Sequence, residues 1–126
     1  MSDSETAPAR RRPPRLVLVL DANDADRLAD FWSAALGYDR QEALEPFEIL
    51  TPPDVSDAPA LLLQRVNDPK LGKNRMHLDL HVADAEAEAE RLVMLGARRL
   101  GDDQLGEIRW ILMTDPEGNE FDIGWD

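Results

Sequence analysis

The chain has 126 residues, and 26 acidic side chains against 14 Lys and Arg leave a net charge of −12. Such acidity argues against nucleic acid or an anionic membrane as partner, since both need a positive footprint. The absence of cysteine excludes disulfides, thiolate metal sites and cysteine nucleophiles, and a hydrophobic share of 43% suffices for the core of one domain.

Met1 to Pro14 is rich in Ser, Pro and Arg and has no apolar periodicity, which predicts a disordered tail ahead of a single domain over 15–126. Arg10, Arg11 and Arg12 are not expected to start an export signal, because the apolar run that follows, Leu16 to Leu20, ends at once in Asp21. That run is also far too short to cross a bilayer, so a cytoplasmic location is expected.

Leu16 to Leu20 reads as a buried strand. Asn23 or Asp24 can cap a helix whose apolar positions Leu28, Phe31, Trp32, Ala35 and Leu36 keep helical spacing, and Gly37 supplies its stop. Short strands are expected around Tyr38 to Leu44, Phe47 to Thr51 and Ala60 to Val66. A polar linker, Asn67 to Arg75, follows. The same programme then repeats. Met76 to Val82 is a strand, Asp84 a helix cap with Glu86 and Glu88 beside it, Leu92 and Leu95 an apolar stripe, and Gly96 a stop. Strands recur at Arg98 to Gly101, Ile108 to Thr114 and Glu120 to Ile123. Gly101 to Gly106 reads as an acidic turn, and Asp115 to Gly118 as a type I turn.

A repeat of this kind decides the fold. It predicts an α+β architecture of two tandem βαβββ modules, module one over 15–66, linker 67–75 and module two over 76–126. The sheets should form a cup, with helices on the outer face.

Both histidines fall in Met76-His77-Leu78-Asp79-Leu80-His81-Val82. Strand alternation puts His77, Asp79 and His81 on one face and the aliphatic residues on the other. Glu120 and Asp122 alternate in the same way with Phe121 and Ile123. If both segments line one cup, His77 and Asp122 converge, and an imidazole with a carboxylate suits zinc, iron, manganese, nickel or cobalt. Trp110 is read either as lining the cup or as core, and Trp32 as core. Trp125 could close the pocket or pack on a second subunit. Lys70, Lys73 and Arg75 form the one basic cluster beyond the tail and are read as a solvated linker. No phosphate loop, nucleophile elbow or dinucleotide fingerprint is present.

The segments Phe31-Trp32-(x3)-Leu36-Gly37, Lys73 to Leu80 and Asp115-Pro116-Glu117-Gly118-Asn119-Glu120-Phe121 resemble the glyoxalase/bleomycin-resistance (vicinal oxygen chelate) superfamily. More closely, the chain is similar to small glyoxalase-like proteins common in actinobacteria. The resemblance spans about Leu16 to Ile123. It implies one divalent metal, zinc, iron, nickel or manganese, held by His77, Asp122 and Gln64. The first-module position that would supply a fourth ligand falls on Val17 or Leu18, both apolar. Val17, Asp79, His81, Trp110 and Glu120 would line the pocket. Two functions stay open: a metal-dependent lyase, isomerase or dioxygenase acting on vicinal oxygens, or a metal-free drug- or metabolite-binding protein. The partners implied are a small-molecule ligand and a second copy of the chain, a homodimer.

Overall fold

The computed structural model describes residues 10, 12–53 and 56–126, so most of the expected tail lies outside the described residues. The first half comprises β1 (Val17–Ala22), α1 (Ala25–Leu36), β2 (Asp39–Arg40), β3 (Phe47–Thr51) and β4 (Ala60–Arg65). The second comprises β5 (Leu78–Val82), α2 (Ala85–Met94), β6 (Arg98–Leu105), β7 (Ile108–Thr114) and β8 (Glu120–Trp125). Each half forms a four-stranded mixed sheet, ordered β1-β4-β3-β2 and β5-β8-β7-β6, in which only the first pair is parallel. These are the two βαβββ modules that the repeat predicts, an α+β fold with a cupped sheet surface.

The helix ends follow the sequence. Asp24 accepts a hydrogen bond from the Arg27 N–H and Asp84 from the Ala87 N–H, each at 3.1 Å, which satisfies one free donor at each helix start. Gly37 ends α1 at φ +70°, a conformation that a Cβ would disfavour.

β1, read as a buried strand, exposes Val17 and Val19 on one face, and β5 starts at Leu78 where Met76 was expected; two further strands depart more from the sequence reading. The strand expected over Tyr38 to Leu44 shrinks to β2, because Leu44 and Phe47 exchange backbone hydrogen bonds of 3.0 and 2.8 Å around Pro46, which has no N–H for a ladder. Gly101 to Gly106 is not a turn: β6 continues to Leu105, opposite Ile108, and the chain reverses at Gly106 (φ +62°) and Glu107. A bulge at Leu100 absorbs one residue as the register moves from Arg99–Met113 to Gly101–Leu112, which keeps the ladder going.

The two halves share one core. Leu28, Phe31 and Trp32 of α1 pack with Leu50 and Leu63 of the first sheet and with Phe121 of the second, and the Trp32 and Phe121 rings meet edge-on at 5.1 Å. Polar groups of the second half also grip α1 along its length. The Glu117 carboxylate accepts from the Asn23 and Asp24 N–H groups at 2.8 and 2.7 Å, at the positive end of the helix. At the other end α1 has no basic residue of its own in its last turn. Arg91 of α2 supplies the cation, donating to the Ala34 and Ala35 carbonyls at 3.2 and 3.0 Å. The half-exposed Arg91 is worth modest energy: Arg91→Ala should lower stability by about 1 kcal/mol in urea unfolding. An unchanged midpoint would show that this cap is idle.

No helix among the described residues is long and apolar enough to cross a membrane.

Candidate metal centre

The open face of the second sheet is laid out by register. Leu78, Leu80 and Val82 face the core with Phe121, Ile123 and Trp125, so Asp79 and His81 face the cup, paired with Asp122 and Gly124 respectively. Leu112 and Trp110 of β7 continue those two rows, since Ile111 and Met113 on the alternate positions are fully buried. His77 immediately precedes β5, on the side of Asp79.

His77 Nε2 lies 3.3 Å from Asp79 Oδ1 and 3.2 Å from Asp122 Oδ2. The three donor atoms fall within 4.8 Å of one another, the one such gathering of histidine and carboxylate groups among the described residues. Donors about 2.1 Å from a shared cation sit about 3.0–3.4 Å apart, so the two His77 contacts match neighbouring corners of a coordination shell. One imidazole nitrogen and two carboxylate oxygens also balance a divalent charge. The donor set therefore fits a divalent ion of the zinc, iron, nickel or manganese kind. The Asp122 side chain is 15% exposed, whereas those of His77 and Asp79 are 37% and 54% exposed, which leaves the solvent side open to ligand oxygens. Burial pushes the Asp122 carboxyl above its usual range; the nearby Asp79 charge pushes the same way, and His77 opposes them.

The other expected site residues take different places. Gln64 lies on β4 of the first sheet, in register with Asp21 and Phe47, and no hydrogen bond among the described residues joins it to the triad. Val17, 40% exposed, opposes Ala60 and puts a bare methyl surface on that sheet. Glu120 is taken up by the linker: it accepts the Asn74 N–H at 2.9 Å and pairs with Lys70 at 3.2 Å. Burial opposes its charge, but the Asn74 N–H, its own backbone and the Lys70 ammonium outweigh that and hold its carboxyl below the usual range. Lys70 is accordingly a tie for the linker. Trp125 belongs to the helix-packed side, with the Arg109 guanidinium 4.7 Å from its ring centre. His81 and Trp110 both face the cup.

The ligand space over the triad is an open face and not an enclosed chamber. A cavity of about 50 Å³ touches His77 between β1 and Phe121, enough for a water or two. A larger cleft of about 570 Å³ lies beside Asp21, Asn23, Lys70 and Glu117, where the linker crosses the start of α1.

One polar centre escaped the sequence reading. The Asp115 side chain, fully buried, accepts from Trp32 Nε1 at 3.0 Å, from the Glu117 and Asn119 N–H groups at 2.9 Å each, and from Asn119 Nδ2 at 2.9 Å. The turn segment Asp115 to Asn119 thus folds on its own first carboxylate and fastens α1 to the second half. The signal was an Asp followed four residues later by Asn, ahead of a strand.

A family model described as glyoxalase-like domain matches residues 17–124. No curated protein matches the chain in sequence. Among solved structures, a glyoxalase/bleomycin resistance protein/dioxygenase family enzyme from Burkholderia phytofirmans PsJN is 13% identical, with 86% of this chain and 95% of that one covered at a TM-score of 0.73. A fosfomycin resistance protein from Mesorhizobium loti is 14% identical, with 92% and 94% covered and a TM-score of 0.69. A lactoylglutathione lyase from Agrobacterium tumefaciens is 18% identical, with 90% and 96% covered and a TM-score of 0.63. At these identities the likeness is one of fold. The match over nearly all of both modules settles the lineage: the chain belongs to the glyoxalase-like domain family.

Proposed function

We propose that this protein binds a small molecule through vicinal oxygens at a divalent metal ion held by His77, Asp79 and Asp122 of the second module. The carrying observation is the convergence of three donor atoms within 4.8 Å on an open sheet face. Asp122, the least exposed of the three, would hold the ion together with His77 and Asp79, which lie nearer the solvent. A divalent ion there supplies a Lewis acid that polarises a bound carbonyl or hydroxyl oxygen. The fold it shares with a lactoylglutathione lyase and a fosfomycin resistance protein supports a small, oxygen-rich substrate and a lyase, isomerase or dioxygenase class of reaction.

Gln64, which the resemblance pointed to as third ligand, gives way in this proposal to Asp79, two residues beyond His77 on the same face. The linker holds Glu120, so it is not proposed as a base. Pairing of two copies remains part of the proposal, and sedimentation should show a dimer.

Zinc titration of protein purified without a histidine tag tests the reading. About one zinc per chain is expected in the wild type. No uptake of zinc, iron or nickel would leave the second reading, a metal-free drug- or metabolite-binding cup, which the bare Val17 surface of the first sheet favours.

A further inference from the structure

Three consecutive residues of β8 meet the chain around His77. Glu120 Oε1 accepts the Asn74 N–H at 2.9 Å, Phe121 pairs in register with Leu78, and Asp122 Oδ2 lies 3.2 Å from His77 Nε2. His77 therefore sits between two fastenings to one strand, a side-chain bond at Asn74 before it and a ladder that starts at Leu78 after it. The upstream fastening matters because the linker has little else. Among the described residues, none of the backbone hydrogen bonds of turns and loops falls on 67–76. Side chains hold this segment instead. Asn23 Nδ2 donates to the Val66 and Asp68 carbonyls at 2.9 and 3.0 Å where the linker starts, and Lys70 and Asn74 meet Glu120 where it ends. Lys70 Nζ also donates to the Gly72 carbonyl, so Glu120 gathers the whole loop 70–74.

We propose that Glu120 is a positioning residue: by holding Asn74, with Lys70 as a second tie, it sets His77 against Asp79 and Asp122. This rests on the metal reading above. Three observations carry it. Glu120 stands outside the donor group, so its carboxylate is spent on the linker and not on an ion. It shares a face of β8 with Asp122, and same-face residues on a strand are about 6.8 Å apart, so clamp and donor ride on one rigid element. A cavity of about 50 Å³ touches Asn74, His77 and Glu120, so a linker released from Glu120 has space to shift. With that tie gone, His77 is held from the β5 side alone. Its imidazole then samples more positions, which costs affinity for an ion that needs all three donors at once.

The test titrates zinc into wild type, Glu120→Ala, Glu120→Gln and Lys70→Met, with thermal melts to check that each is folded. Glu120→Ala should weaken zinc binding by about ten-fold or more, whereas Glu120→Gln, whose amide oxygen still accepts the Asn74 N–H, should stay within about three-fold of wild type. Lys70→Met lies outside the sheet and serves even if Glu120→Ala does not fold. It should weaken zinc binding too, although losing a positive charge near a cation would by itself strengthen it. Equal losses in the two Glu120 variants, or a gain in Lys70→Met, would show a charge acting through its field and overturn the positioning role. Zinc affinity unmoved in Glu120→Ala would do the same. Imidazole NMR of the metal-free protein reads the placement without the ion, because the chain has two histidines and His81 lies within β5. The His77 signals should shift or broaden in Glu120→Ala and hold in Glu120→Gln, with His81 unchanged in both. If the wild type takes up no zinc, the metal reading fails by itself and this spectrum decides the clamp. His77 signals that move only in Glu120→Ala uphold it, and signals that stay, or move alike in both variants, overturn it.

Discussion

Asp115→Ala is expected to destabilise the protein by about 3–5 kcal/mol, among the largest effects of any single substitution here. Asp115 is fully buried, and its removal strands the Trp32 indole N–H and the backbone N–H groups of Glu117 and Asn119 without acceptors. The damage spreads because the turn also positions Glu117 at the start of α1. Asp115→Asn should cost less. Its remaining oxygen can still accept from the two backbone donors, but an amide now faces Trp32 Nε1 donor to donor. Equilibrium urea unfolding of both variants, followed by tryptophan fluorescence, checks the order.

The same residue fixes a pH trend. Burial pushes the Asp115 carboxyl above its ordinary range, although the hydrogen bonds from Asn119, Trp32 and Glu117 pull against it. A carboxylate whose folded-state pKa is raised binds its proton at higher pH in the folded chain than in the unfolded one. Its ionised form therefore costs stability above the folded pKa, and that cost is lifted as pH falls through the raised value toward the ordinary one. Across that window wild type should lose less stability on acidification than Asp115→Asn does. Parallel pH profiles would remove Asp115 as the source.

The second large effect is on metal. His77→Ala and Asp122→Ala should each weaken zinc binding by about 100-fold or more, since each removes a donor that touches the ion directly. Neither should unfold the protein: His77 precedes β5 at an exposed place, and Asp122 faces the cup. The pH dependence has a definite sign. Zinc needs its ligands deprotonated, and burial and Asp79 hold the Asp122 proton to higher pH than usual. The Asp122 carboxyl of the metal-free protein should then take up its proton, on acidification, at a higher pH than an ordinary carboxylate, as carboxyl NMR shifts would read. In Asp79→Asn, which removes a like charge, that protonation should move to lower pH.

The fold was legible because its signals are local. Asp24 and Asp84 as caps, Gly37 as a stop and the strand–helix–three-strand repeat are all properties of neighbouring residues, and the helix-packed faces follow from alternation. The lengths of β2 and β6 were not, because pairing decides them: the Leu44–Phe47 turn cuts one short, and the Leu100 bulge lets the other run on. The site divides in the same way. The shared face of His77 and Asp79 could be read from spacing of two along a strand, and Asp122 from the alternation after Gly118. That Asp79 stands opposite Asp122 depends on the parallel register of β5 with β8, which no short-range pattern encodes. The capture of Glu120 by Asn74 and Lys70, and of Trp32 by Asp115, are likewise contacts between residues 46, 50 and 83 positions apart in sequence.

The most direct measurement is a zinc titration of Asp79→Ala and Gln64→Ala beside the wild type. A centre built within the second module predicts that Asp79→Ala loses zinc affinity and Gln64→Ala keeps it. The reverse order, with Gln64 required and Asp79 dispensable, would contradict the triad and return the third ligand to the first sheet.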